Sequence, residues 1–172
     1  MLTGHPHWHV VWVTRLAWPP TDERGDWQAL ADLYSRLSAA GLSVEMSERL
    51  PERWKCCPAR DGTVNLSAAA RSFLAADLLA LATSDRVAGG TIVRAWAIGL
   101  QSVQLVVSCP PASMNQRIGR FKSRSATLLG FRTELGAGGD ATWGKGIWWA
   151  RIDHESAVET VERFVRNSSV DG

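Results

Sequence analysis

The sequence predicts an α+β fold, an antiparallel sheet with helices packed on it, and three observations carry that prediction. Runs dense in β-branched and aromatic residues recur at His9–Arg15, Thr91–Ile98 and Val103–Ser108. The last two are joined by Gly99-Leu100-Gln101-Ser102, a tight segment that signals a hairpin. Between and after these runs, apolar residues recur at helical spacing. The resulting order is strand, helix with an inserted helix, hairpin, helix, strand, helix. That order suits a ferredoxin-like or RNA-recognition-type layout.

Each element has its own warrant. His9–Arg15 (HVVWVTR) reads as a buried strand, stopped by Trp18-Pro19-Pro20. Trp27, Leu30, Leu33, Tyr34 and Leu37 form one stripe, which predicts a helix from Trp27 to Ala40 ended by Gly41. Leu42–Ser47 is a short strand, and Glu48–Thr63, with two prolines and Gly62, is a loop. A second helix is expected over Ser67–Val87, with Ala70, Phe73, Leu74, Leu78 and Leu81 inward and Gly89-Gly90 ending it. Pro110-Pro111 closes the hairpin's second strand. Ser113–Leu129 follows as a third helix, on a core stripe of Ile118, Phe121 and Leu128. Gly136–Asp140 is a glycine-rich loop and Ile147–Ile152 a strand. Asp153 is expected to cap a last helix that buries Val158, Val161, Phe164 and Val165.

At 172 residues, with 45% hydrophobic and 21% charged residues, the chain is the size of one globular domain. No apolar run reaches the length of a membrane span; Ala68–Ala82 is interrupted by Arg71 and Asp77. The N-terminus lacks a basic-then-apolar secretion signal, so a cytoplasmic location is expected. Three cysteines, two of them adjacent at Cys56 and Cys57, suit neither a disulfide framework nor a zinc knuckle, and are read as reduced. Nine Trp against one Tyr is an unusual aromatic balance. Trp12, Trp27 and Trp96 are assigned to core or interface. A net charge of +2 implies little until the positions of the charges are known.

Several stretches taken together resemble the single-tyrosine HUH transposases of small bacterial insertion sequences and their repeat-associated domesticated cousins. His9–Arg15 is similar to that family's opening strand, commonly H-L-V-W-V-T-K. Ala95–Pro111 (AWAIGLQSVQLVVSCPP) resembles its central hairpin, whose second strand begins M-P-D-H-V-H-L-L-V. Arg117–Leu129 (RIGRFKSRSATLL) is similar to the basic helix that follows. Trp143–Ile152 (WGKGIWWARI) looks like the W-x-x-G-Y-F segment, and Val161–Asn167 like the helix that carries the nucleophile. The resemblance covers roughly half the chain at motif level. Pro19 to Asn65 has no counterpart and reads as an insertion within a single transposase-like domain.

The resemblance implies a chemistry and its loss. Family members cleave single-stranded DNA with a tyrosine, while two histidines and a polar residue hold a divalent metal at the scissile phosphate. Here the His-hydrophobic-His slot falls on Ser102-Val103-Gln104, which offers no pair of good metal ligands. The nucleophile's Y-I-x-x-Q slot falls on Phe164 to Ser168: Phe164 lacks the hydroxyl, and Ser168 stands where the metal-binding Gln would be. Neither catalysis nor a cofactor is expected. His5, His7 and His9 alternate and would share a strand face, but with no acidic or tyrosine partner evident they are not assigned a metal. Tyr34, the one tyrosine, lies far from the motif along the chain, and His154 reads as a solvated first-turn residue.

Binding is the property expected to survive. Arg117, Arg120 and Arg124 stand at i, i+3 and i+7 as a basic stripe, with Lys122 and Arg132 nearby. Lys145, Arg151 and the pair Trp148-Trp149 would extend a path for phosphate contacts and base stacking. The bland alternative is an ordinary solvated helix face and a Trp pair alternating between core and surface. The expected partners are single-stranded or hairpin DNA and a second copy of the chain, since relatives dimerise by joining sheets. A protein-association module that has lost DNA contact is the competing reading.

Overall fold

The computed structural model describes residues 4–42, 44–55, 57–87, 90–130 and 142–169. Five strands form one sheet: β1 (His7–Val13), β2 (Val44–Met46), β3 (Ile92–Ile98), β4 (Ser102–Ser108) and β5 (Trp148–Ile152). Their order across the sheet is β2-β5-β1-β4-β3, and every neighbouring pair is antiparallel. The helices are α1 (Gln28–Ala39), α2 (Ala68–Val87), α3 (Pro111–Gly130) and α4 (Glu155–Asn167).

The fold is α+β, as the sequence predicts. β1, α2, β3, β4, α3 and β5 follow the β-α-β-β-α-β order of a ferredoxin-like unit, with sheet order β5-β1-β4-β3. The segment between β1 and α2 adds α1 and the edge strand β2, and the chain ends in α4. Period-two alternation sorts each strand's side chains between two cores. Trp8, Val10 and Trp12 of β1 and Val103, Leu105 and Val107 of β4 pack with Ala70, Leu74, Leu78, Ile118 and Phe121 of α2 and α3. On the opposite face Val11, Val106, Trp148, Ala150 and Ile152 pack with Leu30, Leu33 and Leu37 of α1 and Val158, Val161 and Val165 of α4. The sheet therefore carries helices on both faces.

Several boundaries differ from expectation for local reasons. Pro111 opens α3 instead of lying outside it; a first-turn proline sacrifices no helical donor. Asp153 does not cap α4. The N-cap is His154, without a side-chain cap bond, while Asp153 accepts a hydrogen bond from Arg151 Nε at 2.9 Å. β4 is an interior strand, but the middle of the sheet is β1, which pairs with both β4 and β5. Trp12 is core, as expected, and Trp27 and Trp96, half-buried, pack against the two cores. Cys109 is buried and Cys57 exposed, neither in a disulfide, while Cys56 and the Gly136–Asp140 segment lie outside the described residues.

α4 is tied to β3 by charge as well as by packing. Arg94 of β3 pairs through Nε with the buried Glu162, and through Nη2 with Glu155 at 2.7 Å. Arg166 Nη2 lies 3.1 Å from Glu162 and donates to the Arg94 carbonyl at 3.0 Å. These bonds give the buried carboxylate of Glu162 the partners it needs.

Candidate functional site

The slot that the transposase resemblance singles out lies on the α1/α4 face. Ser102, Gln104, Val106 and Ser108 share that side of β4, and β1 brings His7 and His9 beside them through the pairs His7↔Ser108 and Val11↔Gln104. Gln104 is buried, and its Oε1 accepts a hydrogen bond from His9 Nε2 at 3.1 Å. Because Oε1 can only accept, Nε2 carries the proton, and Nδ1 is left to accept the Tyr34 hydroxyl at 2.7 Å. Phe164 of α4 closes on the same imidazole edge-on, with ring centroids 6.3 Å apart. Trp148 meets both the His9 and the Tyr34 rings edge-on, at 5.9 and 5.7 Å. Ser168, beyond α4, donates to the Phe164 carbonyl at 2.8 Å.

Tyr34, far away along the chain, is thus carried to the slot by α1. It does not replace a nucleophile. The residue is 3% exposed, and burial raises its phenol well above the ordinary tyrosine range, so the hydroxyl stays protonated and sealed from any substrate. Burial likewise lowers His9 from 6.5 to about 4, with the Gln104 hydrogen bond opposing the shift, so the ring is neutral near pH 7. Both its nitrogens are occupied by protein. Ser102, at the rim, lines a cavity of about 150 Å³ shared with Asp26, Trp27 and Cys57 of the segment between β1 and α2. What occupies this slot is a closed Tyr34–His9–Gln104 hydrogen-bonded chain roofed by α1 and α4.

A second polar cluster sits at the other end of the same face. His7 Nδ1 lies 2.5 Å from Ser108 Oγ, and Nε2 faces Glu155 at 3.3 Å. Burial and the nearby Arg94 cation lower the His7 pKa against the pull of Glu155 and Glu162. His5 is exposed, and no group of three or more potential ligands among the described residues could hold a metal ion. No protein-family model matches the chain, and no curated protein matches it either. The transposase resemblance accordingly rests on the sequence motifs alone.

The basic residues divide by environment. Arg117, Arg120 and Arg124 line one groove of about 580 Å³ between α2 and α3, whose apolar lining is Leu81 and Phe121. Arg120 and Arg124 are exposed. Arg124 Nε lies 3.4 Å from Asp77 of α2 and keeps 55% of its side chain in solvent. Arg117 is half-buried: it donates to Ser113 Oγ at 3.1 Å and to Thr91 Oγ1 at 3.0 Å, tying α3 to the start of β3. The stripe is therefore two exposed arginines and one strut.

Lys122 points elsewhere. Its Nζ donates to the carbonyls of Gly144 and Gly146 at 2.6 and 2.8 Å, and burial lowers its pKa. Gly146 has φ +80°, a left-handed turn that suits glycine, and Lys145 between the two carbonyls is exposed. Trp148 is 4% exposed and donates to the Glu48 carbonyl at 3.0 Å, which leaves no ring face for a base. Trp149 is half-buried against Trp8, 5.2 Å away and edge-on. Arg151 is occupied by Asp153 at 2.9 Å and approaches Glu45 at 3.9 Å. Arg132 lies outside the described residues.

Proposed function

We propose that this chain is a non-catalytic, transposase-like nucleic-acid-binding protein that takes single-stranded or hairpin DNA in the groove between α2 and α3. The observation that carries the reading is the grouping of Arg117, Arg120 and Arg124 along one groove, with Phe121 and Leu81 between the helices. Guanidinium groups fork onto phosphate oxygens, and a groove lined this way attracts a polyanion. Lys145 is exposed and extends the positive surface. Catalysis is not proposed, because Ser102, Gln104 and Phe164 supply neither a metal site nor a nucleophile, and the His9 relay fills the space between them.

Fluorescence anisotropy with labelled single-stranded, hairpin and duplex oligonucleotides tests this reading. Binding at low salt, preferring the first two, weakening with salt and indifferent to a chelator, is the expected result. Failure of all three DNAs to bind at low salt would contradict it.

No helix among the described residues is long and apolar enough to cross a membrane. A cytoplasmic site of action and a homodimer belong to the same proposal. The observation favouring a dimer is β3, an edge strand of seven residues able to pair with a second copy. Light scattering at micromolar concentration decides it.

A further inference from the structure

At the open edge of the sheet, between α2 and β3, lies a cavity of about 350 Å³ that the nucleic-acid reading does not use. Ala68, Arg71, Ser72 and Ala75 of α2 line it on one side and Trp96 and Ile98 of β3 on the other, and Ser169 also lines it. Arg71 Nε and Nη1 are shut off from water and have no hydrogen-bond partner. An idle buried donor is unfavourable, more so when it is charged, so such a group is ordinarily matched by an acceptor.

We infer that this cavity is a binding site for a small monocarboxylate with a flat apolar body. The charge argues for the monoanion: Arg71 is the only cation lining the cavity among the described residues, and a dianionic phosphate would be left half-neutralised. The guanidinium offers two parallel donors to the two oxygens of a carboxylate. Arg71 Nε and Nη1 hold no hydrogen bond, so a turn of the outer torsions that would bring the fork to a ligand would break no bond there. The Trp96 indole, Ala75 and Ile98 supply apolar surface for a ring, and the Ser72 and Ser169 hydroxyls lie at the margin. The groove between α2 and α3 shares no lining residue with this cavity, so the two sites stand or fall separately.

Benzoate, acetate and inorganic phosphate are the probes, and the Trp96 indole N–H and Arg71 Nε–H resonances are the readout. Benzoate should move both resonances saturably, with half-saturation at about 1 mM, the range open to so small a ligand. Acetate should bind about tenfold more weakly for want of a ring, and phosphate should give no saturable shift. Arg71→Met should abolish the benzoate response, and Arg71→Lys should weaken it about tenfold by removing the fork. Arg71→Met should also melt no lower than the wild type, because it discards donors that bond to nothing. No benzoate shift, an equal response to phosphate, or a response that survives Arg71→Met would each overturn the assignment. A marked fall in melting temperature for Arg71→Met would overturn it too, by showing that the guanidinium is already bonded.

Discussion

The two faces of the sheet treat polar side chains in opposite ways. On the α1/α4 face, His9, Tyr34, Gln104 and Glu162 are taken into the interior and bonded to one another or to Arg94. On the α2/α3 face the polar groups are less well matched: the Trp8 indole donates to the Cys109 carbonyl and the Trp143 indole to Ser125, but Trp12 Nε1, Arg71 Nε and Nη1 and Asp77 Oδ2 are buried without a hydrogen-bond partner, and Arg120 and Arg124 stand outside along the groove. A buried polar group is structural when every donor and acceptor is spoken for, and it resists both substrate and solvent. An exposed cation is available to a partner and contributes little to the fold. Under the proposed function, the DNA-binding surface falls on the α2/α3 side, where the exposed arginines stand.

The largest effect that could break this comparison is acidification. His9 is held near 4 in the fold against 6.5 when unfolded, so between those values the unfolded chain binds more protons. Stability is full above about pH 6.5 and falls as the pH drops towards 4, by about 3 kcal/mol from this one group. His7 is also lowered and adds to the same slope. Urea denaturation across that window should show the loss, and His9→Leu, though less stable at pH 7, should show a markedly flatter dependence. An unchanged slope in that variant would mean that the imidazole is not sealed.

Next in size is the relay itself. Tyr34→Phe strips the His9 Nδ1 acceptor of its donor, and Gln104→Leu orphans the Nε2 proton; each should cost about 1–3 kcal/mol. The double variant should cost less than the sum, because both changes act on one imidazole. Strict additivity in a double-mutant cycle would dissolve the network into two unrelated contacts.

The arginines of α3 sharpen the contrast at a smaller scale. Arg117→Ala removes bonds to Ser113 and Thr91 and should cost about 1 kcal/mol of stability, whereas Arg120→Ala should fall within about 0.5 kcal/mol of the wild type. Their effects on DNA affinity should run the other way. Smallest of all is Phe164→Tyr: it introduces the ring hydroxyl of the transposase pattern but no metal ligands at Ser102 and Gln104. Incubated with labelled single-stranded DNA and magnesium or manganese, it should form no covalent adduct.

Much of the fold was legible in the sequence because it depends on period and punctuation. The β-branched runs mark β1, β3 and β4 to within two residues, and the glycine stops follow the ends of α1 and α2. What escaped is what depends on register and on packing between layers. Nothing local places Tyr34 against His9: that contact needs α1 to lie on one particular face of β1, with Gln104 brought alongside by strand pairing. The stripe at Arg117, Arg120 and Arg124 was visible, but which arginine would turn inward was not, since Arg117's partner Thr91 lies 26 residues away. Trp148 and Trp149 show the same limit. Alternation assigns them to opposite faces, but only the sheet reveals that Trp148 is the one buried beneath α1 and α4.

As proposed, DNA binding resides in the two exposed arginines of the α2/α3 groove and needs no metal. The direct test is the salt dependence of affinity for a labelled single-stranded oligonucleotide, measured for the wild type and for the Arg120→Ala/Arg124→Ala variant in the presence of chelator. The wild type should bind at low salt and weaken steeply. In the variant, affinity should fall and the slope of log K against log salt should flatten by about 0.7 for each lost contact. A variant that binds with the wild-type affinity and slope would contradict the claim, as would a wild type that binds only when a divalent metal is supplied.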